Sequence, residues 1–385
     1  MVPFHDRVKG VVIATALGDA MGAPVEKLTY RQIKDRYGRV ETLRTDWYKA
    51  GESEDVRLGR MRGHGIVTDD TLMTLALINV YVQEQRHLDA YDLGSSFVRE
   101  IVYRKTYIPE FGREAFIMDR LFYPEKFIFM RHVLANCEPR EAGIGNMINC
   151  GAAMYIAPVG IVNAGNPKAA YDEAILLAMG HQASYGLEAA GVLAACVAKA
   201  LEDGVTVNDI VETAIELAKD GTKQAITDVT AAARELRDAK ADMDTVVARF
   251  QEIMAKYSPM GDDVHRSEAK LGKPSNHYTP SRLFSIEELP LALAFVVLND
   301  GDFYGSIIDG INSGRDTDSI GVMAGVILGA MYGSEVIRQE DVKLLESTNR
   351  LDFSTITEQF AAVAVEIITE DIRINESRKR IVGKG

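Results

Sequence analysis

Two short acidic segments carry the most readable chemistry in this chain, Thr68-Asp69-Asp70-Thr71 and Gly314-Arg315-Asp316-Thr317-Asp318-Ser319. Each precedes an apolar run, Leu72 to Leu77 after the first and Ile320 to Met331 after the second. The plain structural reading is a pair of helix starts, in which a Thr or Asp caps the first turn and acids complement the helix dipole. A cap, however, needs one acceptor. The second segment supplies two carboxylates and two hydroxyls within four residues, beside a glycine that permits a tight turn. Oxygen-only donors of this kind suit hard divalent cations such as Mg²⁺, Mn²⁺ or Ca²⁺. Neither segment closes a coordination shell alone. Together Asp69, Asp70, Asp316 and Asp318, with the hydroxyls of Thr68 and Ser319, are enough for two ions sharing a bridging carboxylate.

That pairing is conditional on the segments meeting in space. If they meet, two like charges about 4 Å apart at an effective dielectric near 20 repel by roughly 4 kcal/mol. Four clustered carboxylates contain several such pairs, a sum comparable with a typical stability of about 5–15 kcal/mol. Two divalent cations balance the formal charge.

The elements that position these residues read as helices. Apolar residues return every three or four positions, and alternating β-branched segments are scarce. A broad apolar face runs from Gly186 to Leu201 and is stopped by Asp203-Gly204; further helices are expected from Val207 to about Lys219, Lys223 to Asp238 and Met243 to Lys256. The expected fold is all-α, with any sheet confined to small pieces. Two stretches break the texture: Arg39 to Gly65, and Ser258 to Pro290 with its four prolines. Long irregular loops in a helical body are more often functional than accidental. No repeat of about 20 to 50 residues and no linker-like shift in composition stands out, so residues 1–385 read as one domain.

With 43 Lys and Arg against 56 Asp and Glu, the chain has a net charge of -13, which works against sequence-independent nucleic-acid binding. The three cysteines, Cys137, Cys150 and Cys196, lack Cys-x-x-Cys spacing, so neither a disulfide framework nor a thiolate zinc site is expected, and a reducing cytoplasm fits. The apolar run Val11 to Leu17 is followed by Asp19 and Glu26, and no stretch reaches roughly 18 uninterrupted apolar residues, so no membrane span is expected.

Five blocks in order resemble the ADP-ribosylglycohydrolase family, which includes the enzyme that removes ADP-ribose from dinitrogenase reductase. They are Gly18 to Glu26, Thr68 to Thr71, Gly151 to Met154 with Pro158, Leu289 to Ala294, and Asn312 to Ile320 with Ala324-Gly325 and Gly329-Ala330. The resemblance implies an orthogonal multi-helix bundle with a dinuclear magnesium or manganese cleft. It implies metal ligands at Thr68, Asp69, Asp70, Asp316, Asp318 and Ser319, the last replacing a usual Thr, and a catalytic Glu26 near the metals beside Asp69 and Asp70.

Departures fall on the substrate side. The family's Gly-rich block usually places Asn four residues before Met154 and Arg after it; here Cys150 and Tyr155 stand there, with Asn149 one position displaced beside Gly151. His181 is either structural or a substrate contact. Arg315, where relatives have a small residue, either pairs with an adjacent Asp or grips a phosphate or carboxylate of the substrate. Three functions stay open: hydrolysis of an N- or O-glycosidic bond to ADP-ribose on a protein or small molecule; hydrolysis of a nucleoside or other small ribosylated metabolite; and a non-catalytic binding or structural role. Retention of all six candidate ligands argues against the third.

Overall fold

Glycine spacing decides what lies at the centre of the molecule. Helix Phe4–Gly22 carries Gly10, Ala14, Gly18 and Gly22 at intervals of four, on one face. That face runs antiparallel against helix Thr317–Tyr332, with Gly10 against Gly329, Ala14 against Gly325, Gly18 against Gly321 and Gly22 against Asp318. A β-carbon at Gly18 would lie 2.3 Å from the carbonyl carbon of Gly321, so the two backbones touch only because neither has a side chain there. The seam brings the end of one helix to the start of the other, which is where the second acidic segment begins.

This computed structural model describes residues 2–147, 149–257 and 284–383. The chain is 70% helical, and its one sheet among the described residues is the antiparallel pair β1 (Lys105–Ile108) and β2 (Arg113–Phe116), in register from Lys105 opposite Phe116 to Ile108 opposite Arg113. The all-α expectation holds. Helices Tyr185–Ala200, Val207–Leu217, Asp220–Asp238 and Met243–Ala255 lie close to where apolar spacing puts them. Their starts follow capping chemistry: Thr206 and Asp209 form a reciprocal capping box, and Asp242 accepts from Thr245 N at 2.8 Å.

One expectation, on Pro290, needs correction, and the apolar first helix has its place in the core. Over Phe4–Val25 the first helix is long and apolar enough, by length and composition, to cross a membrane, although it contains Asp19. Some 94% of its most apolar window is buried within the protein, so the apolar surface that could face lipid is spent on the core. Pro290, expected in a loop, sits in the first turn of helix Glu288–Leu298, where the missing N–H has no intrahelical partner to lose. Residues 258–283 of that expected loop lie outside the described residues. The Arg39–Gly65 stretch is irregular as expected, apart from the one-turn helix Glu54–Arg57.

Candidate metal centre

Asp19, near the end of the first helix, joins the acidic segments. Its Oδ2 accepts from Thr68 N at 2.8 Å and from Thr71 N at 3.1 Å, and its Oδ1 accepts from the Thr68 hydroxyl at 2.8 Å. Helix Asp69–Glu84 is therefore capped by a carboxylate from another helix, while Thr68, its own N-cap residue, makes no side-chain cap bond. On the other side the Thr317 hydroxyl donates to Gly22 O at 2.8 Å, tying helix Thr317–Tyr332 to the end of the first helix. Two helix N-termini thus point into one space, and both present partial positive charge to anions there. The segments meet: the Ser319 hydroxyl donates to Asp70 Oδ1 at 3.1 Å across 249 residues.

Around that contact, carboxylate oxygens of Asp19, Asp70 and Asp318 lie within 4.8 Å of one another, as do those of Glu26, Asp316 and Asp318. Asp318 belongs to both groups. A third group adds the Cys150 thiol and Glu288 to Asp316. Burial drives the pKa of Asp19, Asp70, Asp316 and Asp318 up, and like charges drive it further. Asp70 and Asp318 rise well above the usual carboxylate range, Asp70 through burial and then Asp318 and Asp19, Asp318 through burial and then Glu26 and Asp316. Asp316 keeps partial solvent access, yet burial and Glu288 raise it to about 8. Asp19 is raised to about 6 by burial, the hydrogen bonds from Thr71 and Thr68 holding it back. Closely packed oxygen donors that repel one another are what a hard divalent ion needs, and the donor set fits such an ion.

Asp69 stands apart. Its Oδ2 forms an ion pair with Arg120 Nη1, and its Oδ1 accepts from the Thr68 hydroxyl at 3.3 Å. Arg120, fully buried, also ion-pairs with Glu110; Glu110 accepts from Arg62 Nε at 2.8 Å; and Arg62 in turn ion-pairs with Glu26. Burial alone would raise Glu26, but Lys27 and Arg62 outweigh it and hold the carboxyl well below its usual range. Glu110 is lowered in the same way, by Arg120 and Arg62 against its burial.

The substrate-side candidates divide. Cys150 Sγ lies 3.4 Å from Asp316 Oδ2 and 3.3 Å from Ser319 Oγ, at the centre itself. Gly151 packs against Glu125: a β-carbon there would lie 2.8 Å from Glu125 Oε1, which also accepts from Asn149 Nδ2. Burial raises Glu125 to about 7, the Asn149 bond opposing it. Tyr155 and His181 sit in the core beneath this segment, the Tyr155 hydroxyl 2.9 Å from His181 Nδ1 and the rings stacked 5.7 Å apart. Burial and nearby His132 lower His181 to about 3, so it is neutral. Arg315, at φ 72°, ion-pairs with Glu287, and its backbone N–H donates to Leu28 O at 2.7 Å.

Asp19, Arg62, Glu110, Arg120, Glu125 and Glu288 were not singled out as site residues by the sequence. The Gly18-Asp19 block held a signal for Asp19, an acid interrupting an apolar helix. Arg62 lay unremarked in the irregular stretch before Thr68, and no spacing pointed to the other four.

A family model for ADP-ribosylglycohydrolase matches residues 2–371. The chain is 25% identical over 351 residues to the uncharacterized protein YegU of Escherichia coli (strain K12), covering 91% of this chain and 94% of that one. It is 24% identical over 342 residues to the ADP-ribosylhydrolase ARH3 of Bos taurus, covering 86% of each. A chain from an ADP-ribosylglycohydrolase-related protein complex has the same fold, with TM-score 0.56 at 20% identity over 94% of this chain and 98% of that one. With a match over nearly its whole length, the chain belongs to the ADP-ribosylglycohydrolase family.

Proposed function

We propose that this chain hydrolyses an N- or O-glycosidic bond to ADP-ribose, carried by a protein or a small molecule. Family membership supports a hydrolase of the ADP-ribosylglycohydrolase type, and the observation that carries the finer reading is Asp318 shared by two oxygen triads beside the Ser319–Asp70 bond. Asp70, Asp316, Asp318, Ser319 and Glu26, with the Thr68 hydroxyl, would hold two divalent ions, Mg²⁺ or Mn²⁺. When bound, those ions supply Lewis-acid polarisation of ribose hydroxyls and of a water.

The chain's own groups do the rest. Glu26, kept ionised beside Arg62, and Asp70 are placed to accept a proton as water adds to the anomeric carbon and the bond to the leaving group breaks. That proton then passes to the leaving nitrogen or oxygen. Asn149, Cys150 and Gly151 form the wall facing the ribosyl group, while Tyr155 and His181 support that wall from the core.

A second reading, hydrolysis of a nucleoside or other small ribosylated metabolite, draws support from Arg315, whose guanidinium is engaged by Glu287 rather than offered to a phosphate. A panel of ADP-ribosyl-arginine, ADP-ribosyl-serine and free nucleosides separates the two. Asp316→Asn should lower release of ADP-ribose about a hundredfold or more. Unchanged turnover would exclude the mechanism.

A further inference from the structure

The irregular stretch from Arg39 to Gly65 supplies no acid to the metal centre, yet it builds one wall of a cavity beside Glu26. The cavity measures about 60 Å³ and is lined by Lys27, Lys49, Arg57, Arg60 and Arg62, with Glu26 as its one acid. A water needs roughly 10–15 Å³ of such space, so there is room for one hydrated carboxylate or phosphate group. In a chain of net charge -13, five cations around one acid reverse the local sign. That acid is already matched, Arg62 forming an ion pair with Glu26 and Lys27 Nζ lying 3.7 Å from its Oε1. Among the described residues Lys49 has no ion pair and rests 5.3 Å from the Tyr48 ring centre, and Arg60 Nε is buried without a hydrogen-bond partner. Burial, then Lys27 and Arg62, lower the pKa of Lys49, as expected where cations outnumber the anions that would hold their protons.

The wall is braced from within, which holds its cations in place. Arg57 donates from Nε to Glu52 O and from Nη1 to Arg60 O, both at 3.0 Å, and Ser53 caps the one-turn helix Glu54–Arg57 that carries it. Val56 and Leu58, 51% and 54% exposed, stand on the same wall and offer apolar contact beside the charge. A bare anion has no use for such contact; a peptide does. Glu26 lines the cavity and also belongs to the oxygen group with Asp316 and Asp318, so a ligand there lies beside the acid that serves the leaving group. We infer that this cavity takes a carboxylate or phosphate group of the polypeptide released by hydrolysis, so that the chain favours ADP-ribosyl bonds on acidic peptides. The attraction is electrostatic, and it weakens as salt rises.

This inference rests on the hydrolase reading above, and two readouts keep them apart. Trp47, the single tryptophan of the chain, lines the cavity, so its fluorescence reports occupancy. Inorganic phosphate, titrated in chelator at constant ionic strength, should change that fluorescence saturably in wild type and in Lys49→Arg, and should bind Lys49→Glu at least about tenfold more weakly. The second readout is kcat/KM of the Mn²⁺-loaded chain on peptides ADP-ribosylated on serine or arginine, with acidic or neutral flanking residues. Wild type should favour the acidic flank at least about fivefold at low salt, Lys49→Ala should bring the ratio within about twofold, and Lys49→Glu should invert it. A wild type whose Trp47 does not respond to phosphate, or a response that Lys49→Glu leaves unchanged, overturns the inference whatever the turnover. So does a Lys49→Ala that slows both flanks equally, which would put the diphosphate of ADP-ribose in the cavity instead of the peptide. A chain that binds phosphate there but hydrolyses none of the peptides overturns the hydrolase reading, and the leaving-group assignment with it.

Discussion

Asp19 caps a helix to which it does not belong, accepting the backbone N–H of Thr71 at 3.1 Å from the end of the N-terminal helix. The bond fixes the first turn of helix Asp69–Glu84 and so the direction in which Asp70 faces.

Asp19→Ala leaves the Thr68 and Thr71 N–H groups buried without an acceptor. The expected loss of stability is about 2–4 kcal/mol, read from denaturant midpoints, with weaker Mn²⁺ binding because Asp70 is no longer held. Asp19→Asn, which keeps an acceptor oxygen, should lose less. A stable Asp19→Ala with full Mn²⁺ affinity would show that the cap is idle.

Arg62→Ala uncovers two buried carboxylates at once, Glu26 and Glu110. Breaking a buried pair from one side typically costs about 3–5 kcal/mol, so this variant should unfold at markedly lower denaturant than Arg39→Ala, whose own side chain is 41% exposed against 6% for Arg62. Equal midpoints for the two variants would contradict a structural role for the buried pairs of Arg62 with Glu26 and Glu110.

In chelator, stability should fall as pH rises above neutrality. Burial raises Asp316 from 3.8 to about 8 and Glu125 from 4.5 to about 7, and the hydrogen bond with Glu173 raises His87 from 6.5 to about 9. Each group binds its proton more tightly in the folded state, so its contribution is complete below the unfolded pKa and gone above the folded one. His181 has the opposite sign, its contribution lost as pH falls from 6.5 towards about 3, so the clean window opens at 6.5. Thermal melts from there upward should lose roughly 2–5 °C. Saturating Mn²⁺ should remove the part of the slope that comes from Asp316, Glu125→Gln its own part, and the part from His87, held by Glu173 and Asp371, should stay. A melting temperature that rises with pH in chelator would refute the assignment.

Gly18→Ala places a methyl group 2.3 Å from the Gly321 carbonyl carbon, against backbone that cannot rotate away. Overpacking of this kind costs about 1–3 kcal/mol or more, and the variant should lose ion affinity together with stability because Asp19 and Asp318 flank the seam. Loss of stability with ion affinity intact would separate the seam from the site.

Much of the scaffold was legible in the sequence, and the reason is local. The helices from Tyr185 to Ala255 announce themselves by apolar spacing and by caps such as Thr206 and Asp242, interactions that span only a few residues. The acidic segments were legible as donor sets, but their meeting was not, because the Ser319–Asp70 contact depends on a tertiary crossing. Asp19 was hidden because an acid inside an apolar helix looks like an interruption until its partners on another helix are known. Arg120, Glu110 and Arg62 were hidden for the same reason: ion pairs between distant positions leave no periodicity to read. Arg315 pairs with Glu287, 28 residues away and outside the motif, a contact that no spacing announces.

Backbone lies directly on backbone where Gly18 passes Gly321, and nothing between them can be exchanged for something slightly larger. Such a keel admits no gradual remodelling. Chains built on it would diversify away from the keel, in irregular stretches such as Arg39 to Gly65, so new substrates would be acquired there while the keel and the buried acids at its end stay as they are.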